Sequence, residues 1–139
     1  MKRAYASAVG ITYLAAWFLP VVNDPDYTPK PRWLPGWDAL LVALGLNDST
    51  PTVLSVASAF TNVLMPLALS WLARSPRKPV PKWSAWLLVA ATLLNLLWAW
   101  PSTDGLHLGA GYWLWTTSFC LAAVLLVLRG GGQADPVPT

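Results

Sequence analysis

Long apolar stretches broken by a few spaced polar residues dominate the chain. The stretch that organises the rest is Val53–Ala73, which carries no charge. At about 1.5 Å of rise per residue, its roughly 21 residues suffice to cross ~30 Å of hydrocarbon. Ser55, Ser58 and Asn62 recur within it at spacings of three and four, so one helical face is polar and the others apolar. Pro66 follows Asn62 by four residues. It removes the N–H that the Asn62 carbonyl would otherwise receive and predicts a bend there.

Three further uncharged stretches have spanning length: Ala4–Val22, Trp83–Trp100 and Gly111–Leu128. The first follows Met1-Lys2-Arg3 as a signal peptide would, but it runs into Trp17-Phe18-Leu19-Pro20 instead of a small-residue cleavage site. It reads as a retained span. The expected architecture is therefore all-α, a polytopic four-transmembrane-helix bundle over residues 1–129. Residues 130–139 (GGGQADPVPT) form a polar tail without core-forming residues.

Between the first two spans, Asn23–Pro35 is rich in Pro and Asp and predicts a stiff segment without regular structure. Residues 36–46 then offer about ten apolar positions, too few to cross but enough for an interfacial helix. Asp38 would complement its N-terminal dipole, and Gly45 would permit a left-handed stop. Thr50 is the expected N-cap of the second span, with Pro51 at its first helical position.

Charge orients this arrangement. Lys2, Arg3, Arg74, Arg77, Lys78, Lys82 and Arg129 make up seven of the nine basic residues, all at the termini or in the 74–82 linker. Positive-inside bias places both termini and that linker in the cytoplasm. Trp17, Trp98, Trp100, Trp113 and Trp115 then fall at the outer ends of spans, where indoles favour the headgroup zone. Trp37 adds to an outer aromatic surface with Trp98, Trp100, Trp113 and Trp115. The chain is 55% hydrophobic and 11% charged, outside the usual range of soluble domains. No basic, aromatic-interleaved polar region points to nucleic acid.

Chemistry-bearing groups are sparse. Ser55, Ser58, Asn62, Thr92 and Asn95 could line a polar cavity near the midplane, with Asn62 and Asn95 paired. The plainer reading is interhelical hydrogen bonding, worth about 0.6 kcal/mol per contact. No span contains Asp, Glu, Lys, Arg or His, which argues against proton-coupled pumps. His107 follows Asp104 in a Gly-containing segment and reads as a surface residue rather than an acid–base or metal group. Lone Cys120 excludes an internal disulfide. No catalytic, metal-binding or cofactor motif is recognisable, so no enzyme and no cofactor are expected. Ala16–Pro20 and Leu97–Pro101 end their spans alike, and each is followed by a Gly-aromatic element, as in a parallel repeat of two hairpins. Chance similarity in a Trp-rich chain competes with that reading.

Leu34-Pro35-Gly36-Trp37 and Gly111-Tyr112-Trp113-Leu114-Trp115 resemble the outer-face motifs of a loose group of small four-span bacterial membrane proteins with no assigned activity. The resemblance implies a bacterial inner-membrane setting and no particular chemistry. Two functional readings follow. The first is a non-catalytic interaction or accessory protein, a subunit or immunity-type partner of another membrane or extracytoplasmic protein. The alternative is small-molecule or lipid binding, or passive transport, through a cavity near Asn62. Small-residue faces at Ala57 and Ala59 leave homo-oligomerisation open.

Overall fold

The computed structural model describes residues 2–24, 32–46, 50–74, 81–99 and 107–131. It is mostly helical. Helix α1 (Lys2–Ala16) leads into strand β1 (Pro20–Asp24), and strand β2 (Arg32–Pro35) is followed at once by α2 (Gly36–Ala43). Helices α3 (Val53–Thr61) and α4 (Leu64–Ala73) are nearly continuous. α5 (Lys82–Leu96) ends in a 3-10 turn, and strand β3 (His107–Leu108) precedes α6 (Ala110–Gly131). Helix α6 packs on α1, α4 and α5. Val53–Ala73 and Ala110–Arg129 are long and apolar enough to cross a membrane, whereas Ala4–Ala16 and Trp83–Ala99 are shorter apolar helices.

Two expectations are corrected at the end of the bundle that carries the sheet. The helix expected over Ala4–Val22 stops at Ala16, with Trp17 and Phe18 donating to the carbonyls three residues back. Pro20 cannot supply the N–H a continuing helix needs, and Val21 and Val22 are β-branched. The segment after them was expected to lack regular structure, yet its two ends form an antiparallel pair, Val22 opposite Leu34 and Asp24 opposite Arg32. β1 also pairs with β3 on its other edge, which gives the order β2-β1-β3. A strand between two partners has its backbone groups satisfied, and that offsets an abundance of proline. Pro25, Pro29 and Pro31 lie outside the described residues.

Three glycines let the backbone pass here. A Cβ on Gly36 would lie 2.8 Å from the Trp17 Cα and 2.9 Å from the Ala16 carbonyl oxygen. One on Gly111 would lie 2.7 Å from the Leu19 oxygen, and one on Gly109 would collide with the Pro20 carbonyl. Both Gly-aromatic elements therefore rest on the same chain segment, residues 16–20.

α2 ends as its sequence indicates. Gly45 takes φ 71°, its N–H donates to Val42, and the Leu46 N–H reaches back to Leu41 at 2.9 Å, a Schellman closure. The start of α3 is corrected by two residues: Thr52, not Thr50, is the N-cap, and Pro51 precedes it. The Ser55 N–H donates to Thr52 Oγ1 (3.1 Å) while the Thr52 N–H donates to Ser55 Oγ (2.9 Å), a capping box with serine in the glutamate position.

The core joins α1, α4, α5 and α6 around Tyr13, Met65, Leu88 and Phe119. Edge-to-face rings run Trp17–Tyr13–Phe119–Trp115, with centroids 6.0, 6.2 and 5.6 Å apart. At the end opposite the sheet, Arg129 donates to the carbonyls of Trp71, Leu72 and Arg74 and closes the C-terminus of α4. The outward faces are apolar, with Ile11, Leu14, Phe60, Val63, Leu93, Val124 and Val127 all exposed.

Replacing Gly111 with alanine should destabilise the fold by roughly 1–3 kcal/mol, because backbone rather than a side chain must move. Gly10→Ala meets only Leu69 methyls at 3.7 and 3.8 Å and should be neutral or stabilising by up to ~1 kcal/mol. Thermal unfolding of the two variants in one detergent checks the opposite signs.

Candidate functional site

The site begins at the break between α3 and α4. Asn62 and Val63 form a turn, each donating its N–H to the carbonyl three residues back at 3.1 Å. Pro66 lacks an N–H, so the Asn62 carbonyl has no helical donor, and the Tyr13 hydroxyl lies 3.4 Å from it. The same hydroxyl lies closer to the Asn62 side chain, 2.9 Å from Oδ1. The indole N–H of Trp115 donates to that oxygen as well, at 3.0 Å. An indole nitrogen can only donate, so the amide oxygen must face Trp115 and the amide nitrogen must face away. That nitrogen donates to the Ala59 carbonyl at 3.1 Å. One side chain thus joins α1, the α3–α4 break and α6.

Ser58 lies one turn before Asn62. Its Oγ accepts the indole N–H of Trp98 at 2.9 Å, which ties the 3-10 turn after α5 to α3. Ser55, a turn further, approaches the carbonyls of Thr52 (2.8 Å) and Ala43 (3.1 Å) and so attaches the end of α2 to the start of α3.

These three residues line one side of a cavity of about 320 Å³. Trp17, Trp98, Tyr112 and Trp115 supply aromatic walls, and Leu34 and Leu108 come from the sheet. Ala39, Leu40, Val42 and Ala43 of α2 close the remaining side. Thr50, Pro51 and Thr52 line the cavity where α3 starts. Asn62 lies ten residues beyond Thr52, about 15 Å along a helix. Among the described residues no charged side chain lines the cavity.

The polar group expected from the sequence divides in the structure. Ser55, Ser58 and Asn62 line the cavity; Thr92 and Asn95 do not. The Thr92 hydroxyl donates to Leu88 of its own helix at 2.8 Å. Asn95 is fully buried, donates to Thr61 Oγ1 at 3.3 Å, and its backbone oxygen accepts the Tyr112 hydroxyl at 2.6 Å. Asn62 and Asn95 therefore do not pair: Tyr13 and Trp115 occupy one, Thr61 the other. The five outer aromatics divide too. Trp98 and Trp115 face the cavity, Trp37 and Trp113 are half exposed, and Trp100 lies outside the described residues.

Tyr13 and Thr61 were not singled out from the sequence, and Tyr112 drew notice only as part of the Gly111–Trp115 motif. The available signal was a phenol in the middle of an apolar run, because a buried tyrosine hydroxyl needs a partner. Nor was the ion pair of Asp38 foreseen: it is buried and meets Arg32 at 3.3 Å, so the carboxylate fixes the hairpin to the first turn of α2. His107 is exposed and pairs with Asn23 in the sheet. Asp26 and Asp104 lie outside the described residues. Among the described residues no group of three His, Cys, Asp or Glu side chains could hold a metal.

No protein-family model, curated protein or solved structure matches this chain.

Replacing Asn62 with leucine leaves two buried donors without their shared acceptor, at about 1–3 kcal/mol for each lost partner. Tyr13→Phe removes one donor and leaves the amide oxygen held by Trp115, so it should cost about 1 kcal/mol. Unfolding free energies in one detergent should rank the variants in that order. Equal effects would mean that the amide oxygen is not shared.

Proposed function

We propose that this chain is a four-span protein of the bacterial inner membrane, with both termini cytoplasmic, that holds an apolar small molecule or a single lipid chain in its sheet-end cavity. The cavity is the observation that carries the reading. Its ~320 Å³ falls at the lower end of the range for small-molecule sites, and an apolar lining with a few fixed polar groups is usual for them. Packing elsewhere favours a binder over a conduit. Beyond Asn62 the core is filled by Met65, Ala68 and Phe119, each fully buried. Among the described residues no acid, base or nucleophile activated by a neighbour lines the walls, which supports a non-enzymatic role.

The membrane setting rests on the apolar outer faces and the lopsided placement of Lys and Arg. α1, at 15 residues, reaches only about 22 Å, less than the hydrocarbon thickness. β1, covered by α2 and α6, continues its path at the outer end, where non-helical backbone is tolerated because protein surrounds it. α2 and the hairpin then form an outer-leaflet lid over the cavity. The interaction-protein reading draws support from the half-exposed Trp33, Trp37 and Trp113. Those indoles also suit a headgroup belt, so the cavity is the stronger support and favours ligand binding.

Ala39→Phe fills the cavity from the α2 side and should remove lipid or apolar small molecules that copurify with the wild type, read by native mass spectrometry of the folded protein. Unchanged occupancy would contradict the site. Impermeant maleimide applied to intact cells should label a cysteine at position 27 and spare one at 78, in a Cys120→Ser background; the reverse pattern would contradict the topology.

A further inference from the structure

The cavity holds a polar inventory that specifies its ligand more narrowly than volume does. On the α3 wall, from Ser55 to Asn62, the side-chain acceptors are already engaged: Asn62 Oδ1 receives two donors, Ser58 Oγ receives Trp98, and Ser55 Oγ receives the Thr52 N–H. Several donors are engaged as well, including the indole N–H groups of Trp98 and Trp115 and the hydroxyl of Tyr112.

Two donors are left over on the α3 wall beyond Ser55. A side-chain amide carries two N–H bonds, and Asn62 Nδ2 uses one on Ala59. The Ser58 hydroxyl accepts from Trp98, and among the described residues no acceptor takes its own hydrogen. Ser58 is 5% exposed and lines the cavity, one helical turn from Asn62. Ser58 is buried and Asn62 half-buried, and donors so placed are normally satisfied, so the two define a position for an acceptor.

Charge complementarity adds a second restriction. With no Lys, Arg, His, Asp or Glu among the described residues that line it, an ionised ligand finds no counter-charge in these walls to offset its desolvation. A volume of ~320 Å³ corresponds to roughly ten waters at ~30 Å³ each, hence to a molecule or chain segment of about a dozen heavy atoms.

We infer that the occupant is a neutral, largely apolar molecule with a carbonyl-type hydrogen-bond acceptor that lies between the Ser58 hydroxyl and the Asn62 amide N–H. The inference rests on the ligand-binding reading proposed above and narrows it. A ketone or quinone and the ester of a neutral lipid share this chemistry. Fatty carboxylates, phospholipid headgroups and pure hydrocarbon lack it.

The test uses the full chain in nanodiscs and three labelled probes of about twelve carbons: a methyl ketone, the corresponding alkane and the corresponding carboxylate. Retention above that of empty nanodiscs should be greatest for the ketone, and its carbonyl 13C resonance should move downfield on binding, as hydrogen bonding to a carbonyl requires. Ser58→Ala should weaken ketone retention about tenfold, the worth of one such bond, and leave alkane retention unchanged. Ser58→Thr, which keeps the hydroxyl, should restore it and guards against a merely structural effect. Replacing the ketone with a methyl ester or a quinone of similar size separates the two sources. Equal retention of ketone and alkane, preference for the carboxylate, or an unshifted carbonyl resonance would overturn the inference and leave the binding site standing. Retention of none of the probes would overturn both.

Discussion

The shared bond at Asn62 is the constraint on which the rest of the arrangement depends. An amide in an apolar interior is costly unless its oxygen and nitrogen are both met. Here the oxygen takes two donors from different helices, Tyr13 on α1 and Trp115 on α6, while the nitrogen turns back on Ala59. Directional bonds to one atom fix where α1 and α6 cross the α3–α4 break. Apolar packing alone would leave that register free, because apolar surfaces slide past one another at little cost. Pro66 supports the same geometry by keeping a helical N–H away from the Asn62 carbonyl.

The cavity follows from this arrangement. Tyr13 and Trp115 turn toward the break, so their rings join the aromatic row and leave space above it instead of filling it. Short elements close that space from the sheet end. Gly36, Gly109 and Gly111 bring α2 and α6 against the backbone of residues 16–20, and Asp38 with Arg32 holds the hairpin to α2. Ser58 and Ser55 fasten the remaining edges. A small bundle thereby encloses a space without a large domain around it.

Much of the helical layout was legible in the sequence because lack of charge over long runs is a strong signal: each of the four uncharged stretches holds a helical region, although in the first the helix stops at Ala16. The bend in Val53–Ala73 was legible from Pro66, and the end of α2 from Gly45. The sheet was not, since proline-rich strands carry no alternation and their pairing is a long-range event. The glycine motifs drew notice as recurring letters, but their reason, close approach to one shared segment, exists only in three dimensions. The polar face of α3 pointed to Ser55, Ser58 and Asn62. It could not show that Asn62 turns to a tyrosine and a tryptophan rather than to Asn95, because an amide accepts either kind of partner and only helix rotation decides.

The most direct measurement of the central interaction is the indole N–H resonance of Trp115 in a 15N-labelled sample. Hydrogen-bonded to the Asn62 oxygen, it should exchange more slowly with deuterium than the indole of exposed Trp86 and shift when Asn62 is replaced by leucine. Rapid exchange, or a resonance indifferent to the residue at position 62, would contradict the account.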